Sequence, residues 1–167
     1  LSSAASDVYK RQYLHKNWNN FFLSVILYGI EGENIMGFEQ DTLIYVEQED
    51  KSQASAAARG FAQKNIQNRA YINTLGARLA MKYLASEDIN ISNIYNIHSI
   101  KKILEEIDIS DVMLPNIHID VRVVFDENVI FIPKSHFEYN LVPDIYLVFH
   151  LAKDISHVKF LGFFEPK

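Results

Sequence analysis

The spacing of apolar residues changes its period once along the chain, and that change restricts it to folds that set helix against sheet. From about Gln53 to about Ala85, the residues Ala58, Phe61, Ala62, Ile66, Ala70, Leu75, Leu79 and Tyr83 recur mostly every three to five positions. Arg59, Lys64, Arg69, Arg78 and Lys82 fall between them, which is the pattern of an amphipathic helix. After Asp108 the period becomes two. Ile117, Ile119, Val121 and Val123 alternate with His118, Asp120 and Arg122, as in a strand buried on one side.

Punctuation sharpens this outline. Thr42–Val46 is β-branched and aromatic and is expected to be a short strand ahead of the helix. Asp50 with Gln53 three residues on has capping-box spacing, and Ser52 is the alternative cap. Ala54, Ala57, Ala58, Gly60 and Ala62 are small enough to let a sheet approach closely. Gly60 and Gly76 each cost about 1 kcal/mol relative to alanine inside a helix, so a kink or break is expected near Gly60–Asn68. Ser86–Asn96 is expected to be a polar loop. A short helix capped by Asn96 or Ser99 follows, with Ile100, Ile103, Leu104 and Ile107 on its buried stripe. Asp126–Asn128 is a turn, and Val129–Ile132 is expected to return as a strand that Pro133 ends. Ile145–Leu151 is apolar on both faces and suits a central strand. Lys153–Ser156 turns the chain, and Val158–Phe164 closes the sheet. The expected fold is therefore α+β, with one long N-terminal helix plus a short helix packed on an antiparallel β-sheet meander. Ile117, Ile119, Val121 and Val123 should face the helix beside Leu75, Leu147 and Phe149.

With 167 residues the chain is long enough for one domain and its core. Sixteen basic residues against 21 acidic ones give a net charge of −5, without a basic stripe of the kind that grips phosphates. Nucleic acid is therefore disfavoured as a partner. The absence of cysteine removes disulfides, thiolate metal sites and cysteine nucleophiles, and suits a reducing cytoplasm. The apolar run Phe21–Ile30 is too short to cross a bilayer core of roughly 30 Å as a helix. Lys16 precedes it as in a signal peptide, but Glu31 and Glu33 follow at once and no small-residue cleavage site appears.

The first 35 positions carry a different message. Asp7-Val8-Tyr9-Lys10-Arg11-Gln12 is what GAT GTG TAT AAG AGA CAG encodes, the transposon-end adapter used in preparing sequencing libraries. Residues 1–12 are accordingly expected to be translated adapter. Glu31-Gly32-Glu33-Asn34-Ile35-Met36 can be encoded so that a GGAG ribosome-binding sequence stands just ahead of an ATG. That makes Met36 the expected start, residues 13–35 an untranslated leader read in frame, and residues 36–167 the domain. The rival is an amphipathic segment, Trp18–Ile30, packed on the domain. At the other end, Phe160, Phe163 and Phe164 crowd the last strand. Phe160 and Leu161 are expected to be buried and at least one of Phe163 and Phe164 exposed, with the gene continuing beyond Lys167.

Candidate chemistry is sparse. Outside the leader, five histidines remain, none paired at metal-binding spacing. His118 and Asp120 share a strand face, where a carboxylate could order an imidazole base. The plainer reading is a solvated face that also holds Arg122. Ser135-His136 and Glu138 follow Pro133, but adjacent Ser and His side chains supply neither a base across space nor an oxyanion hole. Gly60 and Gly76 stand alone, so there is no glycine-rich phosphate loop.

The order of short motifs resembles an uncharacterised bacterial family, a domain of unknown function abundant in cyanobacterial genomes. The shared features are the strand Leu43–Val46, the Ala/Gln-rich stretch Ala54–Gln63 and the helix motif Tyr71-Ile72-Asn73-Thr74-Leu75. Tyr83-Leu84, the loop Glu87–Ile91 and the closing Leu161-Gly162-Phe163 complete it. Where that family carries Trp-Asn-Pro before its second helix, this chain has Ile94-Tyr95-Asn96. The resemblance spans about residues 42–164 and brings no activity, cofactor or metal with it. The expected role is a non-catalytic protein-interaction or regulatory module in the cytoplasm, without catalytic, cofactor-binding or metal residues, whose partner is a protein and not a membrane. The alternatives are an enzyme with a site near His118 and Asp120, or a weak single-stranded nucleic-acid binder. The enzyme would gather His118, His136 or His150 with a carboxylate, and the nucleic-acid binder would align Arg122, Lys134, Lys153 and Lys159.

Overall fold

Glu47 opens the helical region. The computed structural model, which describes residues 42–87, 89, 108–114 and 117–166, places a short strand β1 at Leu43–Tyr45 and helix α1 at Gln48–Ala58 directly after it. Asp50 does not cap α1 from outside, as its spacing suggested. It sits in the first turn and accepts the Glu47 amide at 3.0 Å, while Glu47 holds the N-cap position of a reciprocal capping box. Helix α2 spans Lys64–Ser86. The expected single helix is thus two, broken across residues 59–63 around Gly60, where the sequence allowed a kink or break.

Asp50 also joins the two helices. Its carboxylate is buried and receives Arg78 Nε at 3.0 Å and Lys82 Nζ at 2.6 Å from α2. Burial works to raise its pKa, but Lys82, the Glu47 amide and Arg78 together hold it below the usual carboxylate range.

The remaining strands are β2 (Asp111–Leu114), β3 (Ile117–Val124), β4 (Ile145–Leu151) and β5 (His157–Phe164), with a short helix α3 at Lys134–Glu138 between β3 and β4. They form one five-stranded sheet in the order β1-β5-β4-β3-β2. Three pairings are antiparallel, but β3 and β4 run parallel, with Val121 opposite Leu147. The expected meander is therefore corrected to a mixed sheet. A parallel pair cannot be joined by a hairpin, so residues 125–144 must cross over from one end of β3 to the start of β4. Val129–Ile132 belongs to this crossover and is not a strand; Ile130 and Ile132 lie buried on Tyr146 and Val148. Asp126–Asn128 does turn, its Asp126 carboxylate accepting the Asn128 amide at 2.9 Å.

One face of the sheet meets α2. Ile119, Val121, Leu147 and Phe149 are buried there with Leu75, Leu79 and Tyr83, and Ile117 and Val123 pack against them, as the alternation required. Tyr83 stacks on Phe160 with centroids 4.4 Å apart and meets Phe149 edge-on at 5.7 Å. Gly76 is what allows the approach. A Cβ built there would lie 2.6 Å from Val123 Cγ2, so the glycine that weakens the helix is the point where helix and strand touch.

The last strand explains its phenylalanines. A register shift opposite Val148 and Phe149 inserts a bulge at Leu161–Gly162, and Gly162 takes φ 139°, in the region that favours glycine. The bulge turns both Phe160 and Phe163 toward the helix side and Phe164 toward Tyr146, 4.9 Å away. Phe163 and Phe164 are both buried, so the expected exposure of one of them is overturned. Leu161, expected to be buried, is only partly so. The adapter reading of residues 1–12, the leader reading of residues 13–35 and the short helix with Ile100, Ile103, Leu104 and Ile107 lie outside the described residues.

Candidate functional site

The second face of the sheet is built around a buried charge. His118, Asp120 and Arg122 project from β3 on the side away from α2, the side the sequence assigned to solvent. Asp120 and Arg122 are in fact buried, because the crossover lies over them. Arg122 Nε donates to Asp120 Oδ1, and its other nitrogens reach the Asp108 carbonyl at 3.3 Å and the Asp108 carboxylate at 3.5 Å. The second Asp120 oxygen accepts the Ser110 amide at 3.0 Å. Burial pushes the Asp120 carboxyl up to about 7, against the pull of Arg122 and the Ser110 amide. Burial also works against the Arg122 charge, but Asp120 and Asp108 more than restore it.

Residues 108–110 bind this charge to α2. Asn73 donates to the Asp108 carboxylate at 2.6 Å and to the Ile109 carbonyl at 2.9 Å, while the Ser110 hydroxyl donates to the Asn73 carbonyl at 2.7 Å. This gives the Tyr-x-Asn-Thr-Leu motif a role, since its asparagine is the clamp between helix and sheet. Burial would raise the Asp108 carboxyl, but Arg122, Asn73 and Arg69 outweigh it and keep it below the usual range.

His136, in α3, closes the network from above and is fully buried. Its Nε2 lies 2.6 Å from the Asp108 carbonyl, which can only accept, so that nitrogen carries the proton. Nδ1 therefore accepts the Tyr146 hydroxyl at 2.9 Å. The ring is neutral: burial, and then the Arg122 charge, lower its pKa to about 4. A histidine with both nitrogens engaged and no exposure is a structural pin, without a lone pair to offer a substrate.

His118 lies apart from this pin. Its Nε2 is 2.6 Å from Asp111 Oδ1, and that hydrogen bond raises its pKa against the effect of burial. The expected His118–Asp120 pair is thus replaced by His118–Asp111 across the β2–β3 ladder, where Met113 faces His118 and Asp111 faces Asp120. His150 lies 3.4 Å from Glu127 on the far strand end. The three histidines are therefore held by three different carboxylate or carbonyl partners. Of the four cations needed on one face for nucleic acid, Arg122 is buried and Lys134 pairs with Glu138 at 2.8 Å. Among the described residues no three His, Asp or Glu side chains gather as a metal site, and no helix is long and apolar enough to cross a membrane.

Beside the network a cleft of about 470 Å³ opens between α2, the end of β3 and the crossover. Asn73, Asp108 and Arg122 form its polar end and Arg69 stands on its α2 wall. Ile72, Val123, Val124 and Val129 make it apolar, and Phe125, Asp126 and Phe131 form the crossover side. Phe125 and Phe131 are 57% and 56% exposed. This volume lies within the range of ordinary ligand and side-chain pockets. Asn73 stood out in the sequence only as part of a helix motif, and Asp108, Phe125 and Phe131 were not assigned to a site. The signal for them was Ile145–Leu151: a strand apolar on both faces needs two covering layers, and among the described residues the segment 125–144 supplies the second.

A mixed sheet with a helical layer on one face and a polar-cored crossover on the other defines the class as an α+β domain. A family model described as "Protein of unknown function (DUF1822)" matches residues 44–167, and the chain belongs to that family. No curated protein and no solved structure matches the chain.

Proposed function

We propose that the domain is a non-catalytic protein-interaction or regulatory module, acting through a protein partner in the cytoplasm of a bacterium. The observation that carries this reading is the exposure of large aromatic side chains along one connection. Phe125 and Phe131 stand more than half exposed at the cleft, and Phe137 and Tyr139 are exposed further along the same crossover. Aromatic groups held out by a rigid scaffold are the usual anchors of a protein interface. The absence of cysteine and the acidic balance of the chain support the cytoplasmic placement.

The polar groups favour this reading over catalysis. Asp120 has both oxygens engaged, and His136 has both nitrogens engaged. An enzyme working near His118 and Asp120 would have to use the His118–Asp111 pair alone. The test is affinity capture from the native cell with the wild-type chain and with a Phe125→Ser/Phe131→Ser variant whose thermal melt matches it. A partner recovered by the wild type and reduced at least about tenfold on the variant is the expected result. Equal recovery on both, or loss of a measured turnover in His118→Ala with capture intact, overturns the reading.

A further inference from the structure

We infer that the cleft takes a basic segment of the partner, one that presents a lysine or arginine beside an apolar side chain. This rests on the interaction reading above and adds the chemistry of the occupant. The cleft wall supplies the apolar part: Val123 and Val129 line it together with the exposed Phe125 and Phe131. The charge comes from the lip. Asp126 lies between the two phenylalanines in sequence, lines the cleft and is fully exposed. Its Oδ1 accepts the amide and the side chain of Asn128, at 2.9 and 3.0 Å, which hold its carboxyl below the usual range and keep it ionised.

No lysine or arginine pairs with Asp126 among the described residues. Glu127 beside it adds a second negative charge, with His150 at 3.4 Å and Lys159 at 3.9 Å as its loose contacts. The cations within the cleft do not neutralise this lip. Arg122 is bound to Asp120 and Asp108, and Arg69 acts on Asp108 at the polar end. An ammonium or guanidinium entering the cleft beside them would therefore meet two exposed aromatics and an open carboxylate together. An acidic partner would meet the same lip as repulsion.

A random short-peptide library displayed on phage, selected against the full chain, tests this. The expected consensus places Lys or Arg within two positions of an aromatic or aliphatic residue. Its affinity should fall about threefold for Asp126→Asn, which keeps the acceptor oxygen of the turn, and about tenfold for Asp126→Lys. It should also weaken with added salt, and Phe125→Ser/Phe131→Ser should abolish it. Selected peptides that need the two phenylalanines but carry no cation, or that bind Asp126→Lys as well as wild type, overturn the basic occupant and leave the interaction reading standing. Binders indifferent to the phenylalanines, or no binders at all, overturn both.

Discussion

The two faces of the sheet are built on opposite principles. Toward α2 the contacts are apolar and close: Leu147, Phe149, Phe160 and Phe163 meet Leu75, Leu79 and Tyr83, and Gly76 removes a side chain to let the layers touch. Toward the crossover a smaller apolar group, Val124, Ile130, Ile132, Tyr146, Val148 and Phe164, surrounds a buried ion pair and a neutral histidine. The first face gains stability from area removed from water, which does not depend on pH. The second depends on every donor and acceptor being matched, so it is specific in geometry and vulnerable to protonation. Its covering layer is a connection and not a long helix, and that connection carries the exposed Phe125, Phe131, Phe137 and Tyr139. The same face therefore joins a polar interior to an exposed aromatic surface.

Truncation on the helix side should have the largest effect. Phe149 is fully buried between Tyr83 and Phe160, and Phe149→Ala should lower the unfolding free energy by about 3–5 kcal/mol, nearly equally at pH 7.5 and pH 5. Denaturant melts measure it; a loss below about 1 kcal/mol would mean that the helix-side face is not the main apolar core.

The crossover side should show the pH dependence that the helix side lacks. His136 has a folded pKa near 4 against an ordinary value near 6.5, so the unfolded chain takes up its proton first. Its contribution is then fully present above pH 6.5 and is lost as pH falls toward 4. The stability gap between wild type and His136→Gln should shrink by up to about 3 kcal/mol over that window. Asp120 and His118 titrate in both proteins, so the difference isolates His136. A gap independent of pH would place the imidazole in solvent and open the crossover.

The smallest effect tests how closely the helix layer is fitted. Gly76→Ala gains about 1 kcal/mol in helix propensity, but the new methyl group collides with Val123 and overpacking costs about 1–3 kcal/mol. A net loss of about 1 kcal/mol is expected in thermal or denaturant melts. A stabilised variant would show that α2 and β3 are farther apart than described.

Local pattern alone determined the elements that hold one face against another layer. The alternation at Ile117–Val123 and the amphipathic stripe through Leu75, Leu79 and Tyr83 each specify their buried side, and the doubly apolar Ile145–Leu151 specifies burial on both, because burial must follow the backbone's own period. Gly60 likewise marked where the helical region divides. Tertiary structure decided the rest. Whether two neighbouring strands run parallel depends on the path of the connection between them, and Asp126–Asn128 has the composition of a hairpin turn although it begins a crossover. That path determines whether Asp120 and Arg122 face water or a second layer. A charged side chain has the same letter in both places, and only the partners gathered around the Asp120–Arg122 pair, Asp108 and Ser110, make its burial affordable. The final strand follows the same logic. Phe163 and Phe164 can both be buried because a bulge at Gly162 resets the alternation, a shift of register that becomes visible only when β5 is paired with β4.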